Sequence, residues 1–419
     1  MTLTDRPRPP MSYSLFVFDD EVTGSWDPFV LTRPVGELIF GALLLRERSE
    51  HYWGSTCGGH LSQKGLTGFS EPGSPPVVGP GEIPQDGHRI LQSSRLAPFG
   101  RAPALPQQPA TLYLDGQVVG WVLPPGAPTP APGALRRPEP LAGSERVDVQ
   151  GRLLSAPWDL MARNADQLRK DIPDLFPGYA ADELPGCHIL GDGLLSLGTG
   201  VVVEPGSVFD VGGGPIRLSD GVVVRSHTRL EGPAFVGPGS TLLGGSISGV
   251  SIGPVCKVRG EVESTIILGY ANKAHDGFLG HSYLGRWVNL GAFTTNSDLK
   301  NNYGEVRVGG GDGPRETGLM KVGCFLGDHV KTGIGTLLNT GSVVGAGSNI
   351  FGGRMPPTFV PPFSWGTGGD LSEFQLDRFL EVASRAMGRR GMELGVDMEA
   401  VLRRAWDATR SLRNTRTNS

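Results

Sequence analysis

A chain of 419 residues with 64 glycines and 35 prolines has room for two or more domains, and holds more glycine than ordinary loops require. Its formal net charge of −4 supplies no basic field for a nucleic-acid backbone or an anionic membrane, so neither is expected as a partner and a small molecule is favoured. The cysteines, Cys57, Cys187, Cys256 and Cys324, are widely spaced without a CxxC pair, which argues against a disulfide framework or a zinc site and fits a reducing cytoplasm.

The opening MTLTDRPRPPMSYS lacks the apolar core of a signal peptide, and the longest apolar run, Leu38 to Leu45, is too short to span a bilayer, so a soluble chain is expected. Ser14 to Phe18 reads as a buried strand running into Asp19, Asp20 and Glu21, a beginning that suits an α/β domain. In LTRPVGELIFGALLLRER, Pro34 sits near a helix start, and Leu38, Leu44 and Leu45 share a helical face. Because α/β folds bind ligands at the carboxyl ends of their strands, Asp19, Asp20, Thr32 and Arg33 are expected to line a site. A structural ion pair between Arg33 and Glu37 is the alternative.

Proline and glycine cluster through residues 50 to 150, which predicts much loop, interrupted by a β-hairpin over Thr111 to Val122 with an Asp-Gly turn. From Pro157 the run PWDLMARNADQLRKDI places Met161, Ala165, Leu168 and Ile172 on one face of a connecting helix.

Beyond Pro185 the pattern changes to a strict period of six: Leu218, Val224, Leu230, Val236 and Leu242, and again Leu326, Thr332, Leu338, Val344 and Ile350. An aliphatic residue every six positions, set among Gly, Pro, Ser and Thr, predicts a parallel β-helix of about nine or ten triangular coils with these residues pointing inward. The register breaks between Leu242 and Leu284, and between Phe293 and Val322, where loops leaving a rigid coil are expected to carry chemistry. Past Pro362, Asp370 and Glu373 resemble a capping box for a helix to Met387, and a second helix carries Met398, Val401, Leu402, Ala405, Thr409 and Leu412 on one face. Arginines from Arg385 to Arg416 give this tail a basic surface, read as a solvated face. The expected division is an α/β domain over 1–150, a connecting helix over 151–184, a β-helix over 185–365 and C-terminal helices over 366–419.

The stretch KAHDGFLGHSYLGRWVNLGAFTTNSDLKNNY, Lys273 to Tyr303, gathers His275, His281, Asn289, Asn296, Asp298 and Lys300 inside the repeat. It resembles the acetyltransferase segment of the bifunctional N-acetylglucosamine-1-phosphate uridyltransferase/glucosamine-1-phosphate acetyltransferase (GlmU-like) family. Lys273-Ala274-His275 with Phe278-Leu279-Gly280, then Val288-Asn289-Leu290-Gly291-Ala292, then Asn296, Asp298 and Lys300 follow its three motifs. Phe278 stands where that family has tyrosine, and Phe293 where it has glycine. The LTRPVGEL segment is similar to one in a subgroup of sugar nucleotidyltransferase-like proteins.

The resemblance implies a reduced nucleotidyltransferase-like α/β domain followed by a left-handed β-helix, usually trimeric. It implies acetyl-CoA as acyl donor and a sugar phosphate or nucleotide sugar as the small-molecule partner. His275 matches the general base and Asn289 the asparagine holding the sugar; an imidazole suits that role because it accepts a proton near neutral pH. Lys273, Asn296, Asp298, Lys300 and Arg259 are the expected substrate contacts, and His281 reads as structural. The glycine-rich nucleotide loop of the family is absent, so nucleotide binding would rest on Asp19, Asp20, Thr32 and Arg33, with Mg²⁺ possible at Asp19, Asp20 or Asp115. The alternatives are a nucleotidyltransferase whose β-helix only assembles the oligomer, and a non-catalytic binding protein.

Overall fold

The computed structural model describes residues 13–177 and 184–414. The opening tail weighed as a signal peptide, the end of the predicted connecting segment at 178–183, and Arg416 lie outside the described residues. The described residues form two compact units, one of residues 13–25, 34–37 and 44–155, the other of 26–33, 38–43, 156–177 and 184–414. The division therefore differs from the expected boundary near residue 150. Residues 26–33 and 38–43 belong with the second unit because their partners do: Phe29 packs 4.6 Å from Tyr283, Ile39 N–H donates to the Tyr283 hydroxyl at 2.8 Å, and Ala42 N–H donates to Asp171 at 2.9 Å.

The first unit is built on a mixed six-stranded sheet, in the order Cys57–Leu61, Tyr13–Phe18, His88–Ser93, Gln117–Leu123, Ala110–Leu114, Glu145–Asp148. Strand Tyr13–Phe18 alternates as a pleat must, with Leu15 and Val17 in one apolar cluster and Phe16 and Phe18 in another, so both its faces are covered. More of residues 50–150 is sheet than their glycine and proline suggested. The predicted hairpin is present, with Asp115 at φ 49° and Gly116 at φ 80°, the left-handed pair that a tight Asp-Gly turn uses. The helix expected after Pro34 is not continuous. A single 3-10 turn, Val35–Glu37, gives way to strands Ile39–Phe40 and Leu43–Leu44, reversed at Gly41 (φ 69°), and only then comes helix Leu45–Trp53.

The second unit is the parallel β-helix. Its strands stack into sheets of six, nine and ten strands, each strand pairing in parallel with its counterpart one coil away, apart from one antiparallel pair at the end. Leu218, Val224, Leu230, Val236 and Leu242 are fully buried, and the second series from Leu326 to Ile350 is at most 5% exposed. Burying two such columns is the main stabilising term, at roughly 25 cal/mol per Å² of apolar surface. The first break in period is no excursion: Ile247, Ile252, Val258, Val262 and Ile267 remain in the core at shorter steps. The second does leave the coil, carrying the antiparallel pair Arg307–Val308 and Arg315–Glu316.

Asp370–Glu373 form a strand, not a helix cap, pairing with Ser364–Thr367 to close the ten-stranded sheet before helix Leu376–Gly388 begins. That strand gives the last coil's open edge its hydrogen bonds. Helices Leu376–Gly388 and Val396–Ala408 bury Phe379, Leu380, Ala383 and Met387, and Met398, Val401, Leu402 and Ala405. The connecting helix breaks at Arg163 into Pro157–Ala162 and Asn164–Leu175, and its Leu168 and Ile172 pack with Ala42 and Phe235. The four cysteines are free, and no helix of the described residues is long and apolar enough to cross a membrane.

Candidate functional site

The stretch Lys273–Tyr303 winds once around the β-helix and continues into the excursion. His275 lies at the corner between the ten-stranded and six-stranded sheets, His281 at the next corner, between the six- and nine-stranded sheets. At the second corner His281 (φ 45°) shares a hydrogen bond of 2.8 Å between its Nδ1 and Asp298 Oδ2. Both side chains are largely enclosed, at 15% and 12% exposure, while Nε2 of His281 has no partner and stays open. Burial pushes the Asp298 carboxyl up, but the bond and charge of His281, with Lys321 beyond, outweigh it and hold Asp298 below the usual carboxylate range. Glu263 offers a third ligand atom, all three lying within 4.8 Å of one another, and pairs with Lys321 at 3.5 Å.

Asn296 sets this geometry. It occupies an inward position one coil above Gly280, accepts the Gly280 N–H at 2.9 Å and donates to the Gly280 carbonyl at 3.0 Å. It is buried and clamps the His281 corner, at a position for which the resemblance implied a substrate contact.

At the first corner Arg259 Nε meets Asp276 at 3.0 Å and its Nη1 donates to the Leu243 carbonyl. Lys273 is 2% exposed, points inward, and donates from Nζ to the carbonyls of Arg259 and His275, so it secures the corner and is not free for a phosphate. Burial pushes its amine down to about 8. His275 is exposed and its ring has no hydrogen bond. Asn289 lies on the ten-stranded sheet, its Oδ1 accepting from Asn272 at 3.1 Å, and Phe293 stands 64% exposed at φ 59°. Lys300 folds back onto the Glu305 carbonyl in the excursion.

The structure therefore groups Arg259, Lys273, His275 and Asn289 around one corner and His281, Asn296 and Asp298 at the next. Asp298, expected as a substrate contact, instead orients His281, which sequence reasoning set aside. The missed signal was arithmetic: His281 and Asp298 are 17 residues apart, about one coil.

The four residues expected in a nucleotide site fare differently. Thr32 Oγ1 donates to Asp328 at 2.7 Å, and Arg33 pairs with Asp328 at 2.9 Å with both side chains buried. Neither is open to a nucleotide, and the Arg33–Glu37 alternative gives way to Glu37 bonding Arg46 at 2.6 Å and His60 at 2.8 Å. Asp20 accepts from Arg95, Ser93 and the N–H groups of Val22 and Thr23. Asp19 accepts from Ser62 and Ser94, and burial raises its carboxyl. With these oxygens engaged and Asp115 at the hairpin tip, the carboxylates fit a Mg²⁺ ion poorly.

Residues 15–177 match the family model described as sugar nucleotidyl transferase. The chain is 32% identical over 95 residues to a bifunctional sugar-1-phosphate nucleotidylyltransferase/acetyltransferase of Sulfurisphaera tokodaii, covering 23% of this chain and 24% of that one. It is 26% identical over 180 residues to the bifunctional protein GlmU of Nitrosospira multiformis (38% and 36% covered), and 29% over 197 residues to that of Stenotrophomonas maltophilia (45% and 39%). The chain spans about a quarter to two fifths of the length of these relatives. A solved UDP-N-acetylglucosamine acyltransferase from Arabidopsis aligns with 56% of this chain and 97% of its own at TM-score 0.24 and 14% identity, too low to carry argument.

Proposed function

We propose that this chain, which joins a stretch matching the sugar nucleotidyl transferase model to a parallel β-helix, is a sugar-nucleotide pathway transferase whose β-helix moves an acyl group from coenzyme A to an amino sugar phosphate or nucleotide sugar, a reading supported by its similarity to GlmU proteins. The observation that carries this reading is the His281–Asp298 pair. Asp298 holds Nδ1–H, which leaves Nε2 as the lone-pair nitrogen and stabilises the imidazolium once formed. The substrate amine attacks the thioester carbonyl, its proton passes to Nε2, the C–S bond breaks, and the thiolate takes the proton.

His275 and Asn289 lie at another corner, so one chain does not bring them to His281. In the homotrimer that the family resemblance implies, one copy's corner would face another's, with His275 and Asn289 contacting the sugar. The discriminating experiment follows thiol release from acetyl-CoA across amino sugar phosphates. Loss of turnover in His281→Asn with retention in His275→Ala supports the dyad; the reverse pattern sinks it.

The match over residues 15–177 favours a second activity, sugar-1-phosphate nucleotidyl transfer in the first unit. Asp19, at the carboxyl end of strand Tyr13–Phe18, is the residue to test there. Nucleotide-sugar formation that persists in Asp19→Asn would exclude it from that role.

A further inference from the structure

One outer column of the ten-stranded sheet reads Asn272, Asn289, Lys331, Asn349, each in direct register with the next, one coil apart. Within its strand Thr332 turns inward beside Leu290 and Ile350, so Lys331 must turn outward, flanked by Asn289 and Asn349. Although its stem reaches the surface partway, Nζ is enclosed and has no hydrogen-bond partner. Lys273, Lys300 and Lys321 are satisfied, by two carbonyls, by the Glu305 carbonyl and by Glu263, and Lys257, in register with Asn272, is exposed to solvent. The column carries a second cation, since Arg390 donates to Asn272 Oδ1 at 2.6 Å and Asn272 in turn donates to Asn289 Oδ1. Asn289 keeps its Nδ2 to donate.

An enclosed ammonium without an acceptor is costly, and native folds keep such groups where something else supplies the partner. Burial pushes the Lys331 amine down only to about 8, so near pH 7 it still carries charge and still lacks an anion. We infer that Lys331, with the Asn289 amide beside it, is the subsite for a phosphate group of the bound ligand. The inference rests on the acyl-transfer reading for the class of ligand, a phosphate ester, which either the sugar phosphate or coenzyme A could bring.

The test uses the full chain in phosphate-free buffer, titrated calorimetrically with coenzyme A, 3′-dephospho-coenzyme A and glucosamine 1-phosphate. At least one should bind, Lys331→Met should weaken it tenfold or more, and Lys331→Arg should recover part of the loss. A preference for coenzyme A over its dephospho form assigns the subsite to the donor; a loss confined to the sugar phosphate assigns it to the acceptor. Without ligand, Lys331→Met should melt no lower than wild type, since no partner is lost. Unchanged affinity in Lys331→Met, or no binding by wild type, overturns the subsite. Should thiol release be absent while Lys331→Met still loses phosphate affinity, the acyl-transfer reading fails and the subsite stands.

Discussion

Arg33 and Asp328, 295 residues apart, meet in a buried ion pair of 2.9 Å, with Arg33 Nε also donating to Asp328 Oδ2 at 3.0 Å. Asp328 further accepts from Thr32 Oγ1 and the Arg286 N–H, so its oxygens are well satisfied. Removing one partner strands a buried charge. Arg33→Met should therefore cost about 3–5 kcal/mol in denaturant unfolding of the second unit, whereas the double change Arg33→Met/Asp328→Leu should recover most of it. Equal losses in the single and double variants would contradict this account.

The clamp at Asn296 makes a second prediction. Asn296→Leu preserves volume but leaves the buried Gly280 N–H unpaired, at about 1–3 kcal/mol, while the Gly280 carbonyl keeps the Ser282 hydroxyl as a donor. Acyl transfer should fall with stability, because the His281 corner is no longer held to Asp298. Turnover at the wild-type rate in a destabilised variant would separate the clamp from the dyad.

Glu37 lets acid sensitivity be assigned a sign in the first unit. Burial raises its carboxyl, but the His60 bond and the Arg46 charge outweigh that and hold it at about 2. A depressed folded value contributes stability that is present above the ordinary glutamate range and is lost as pH falls through about 2. Glu37→Gln should flatten the acid limb of the melting-temperature profile between pH 5 and roughly 2. An unchanged limb would assign acid lability to other carboxylates.

The two lysines held at about 8 act in the opposite pH range. Between that value and the ordinary lysine value of 10.5, the unfolded chain binds protons that the folded chain does not, so stability rises with pH across the window and the penalty is full below it. The difference in melting temperature between wild type and Lys331→Met should shrink from pH 8 toward pH 10.5. A pH-independent difference would show that the amine carries no such penalty.

What the sequence determined by itself was whatever repeats locally. An aliphatic residue every six positions can bury itself only by stacking on its own copies, so the period of Leu218 to Leu242 already specified the coil and its inward face. The Asp115-Gly116 turn was legible for the same reason, since its left-handed backbone is a property of two adjacent residues. Which polar groups meet was decided in three dimensions. Asp298 reaches His281 only after one coil closes, Asn296 and Lys273 turn inward because the coil's alternation puts them there, and Arg33 finds Asp328 across 295 residues instead of Glu37 four residues away. Short polar side chains are specified by distance and desolvation, both of which belong to the folded chain, while apolar period is written along it.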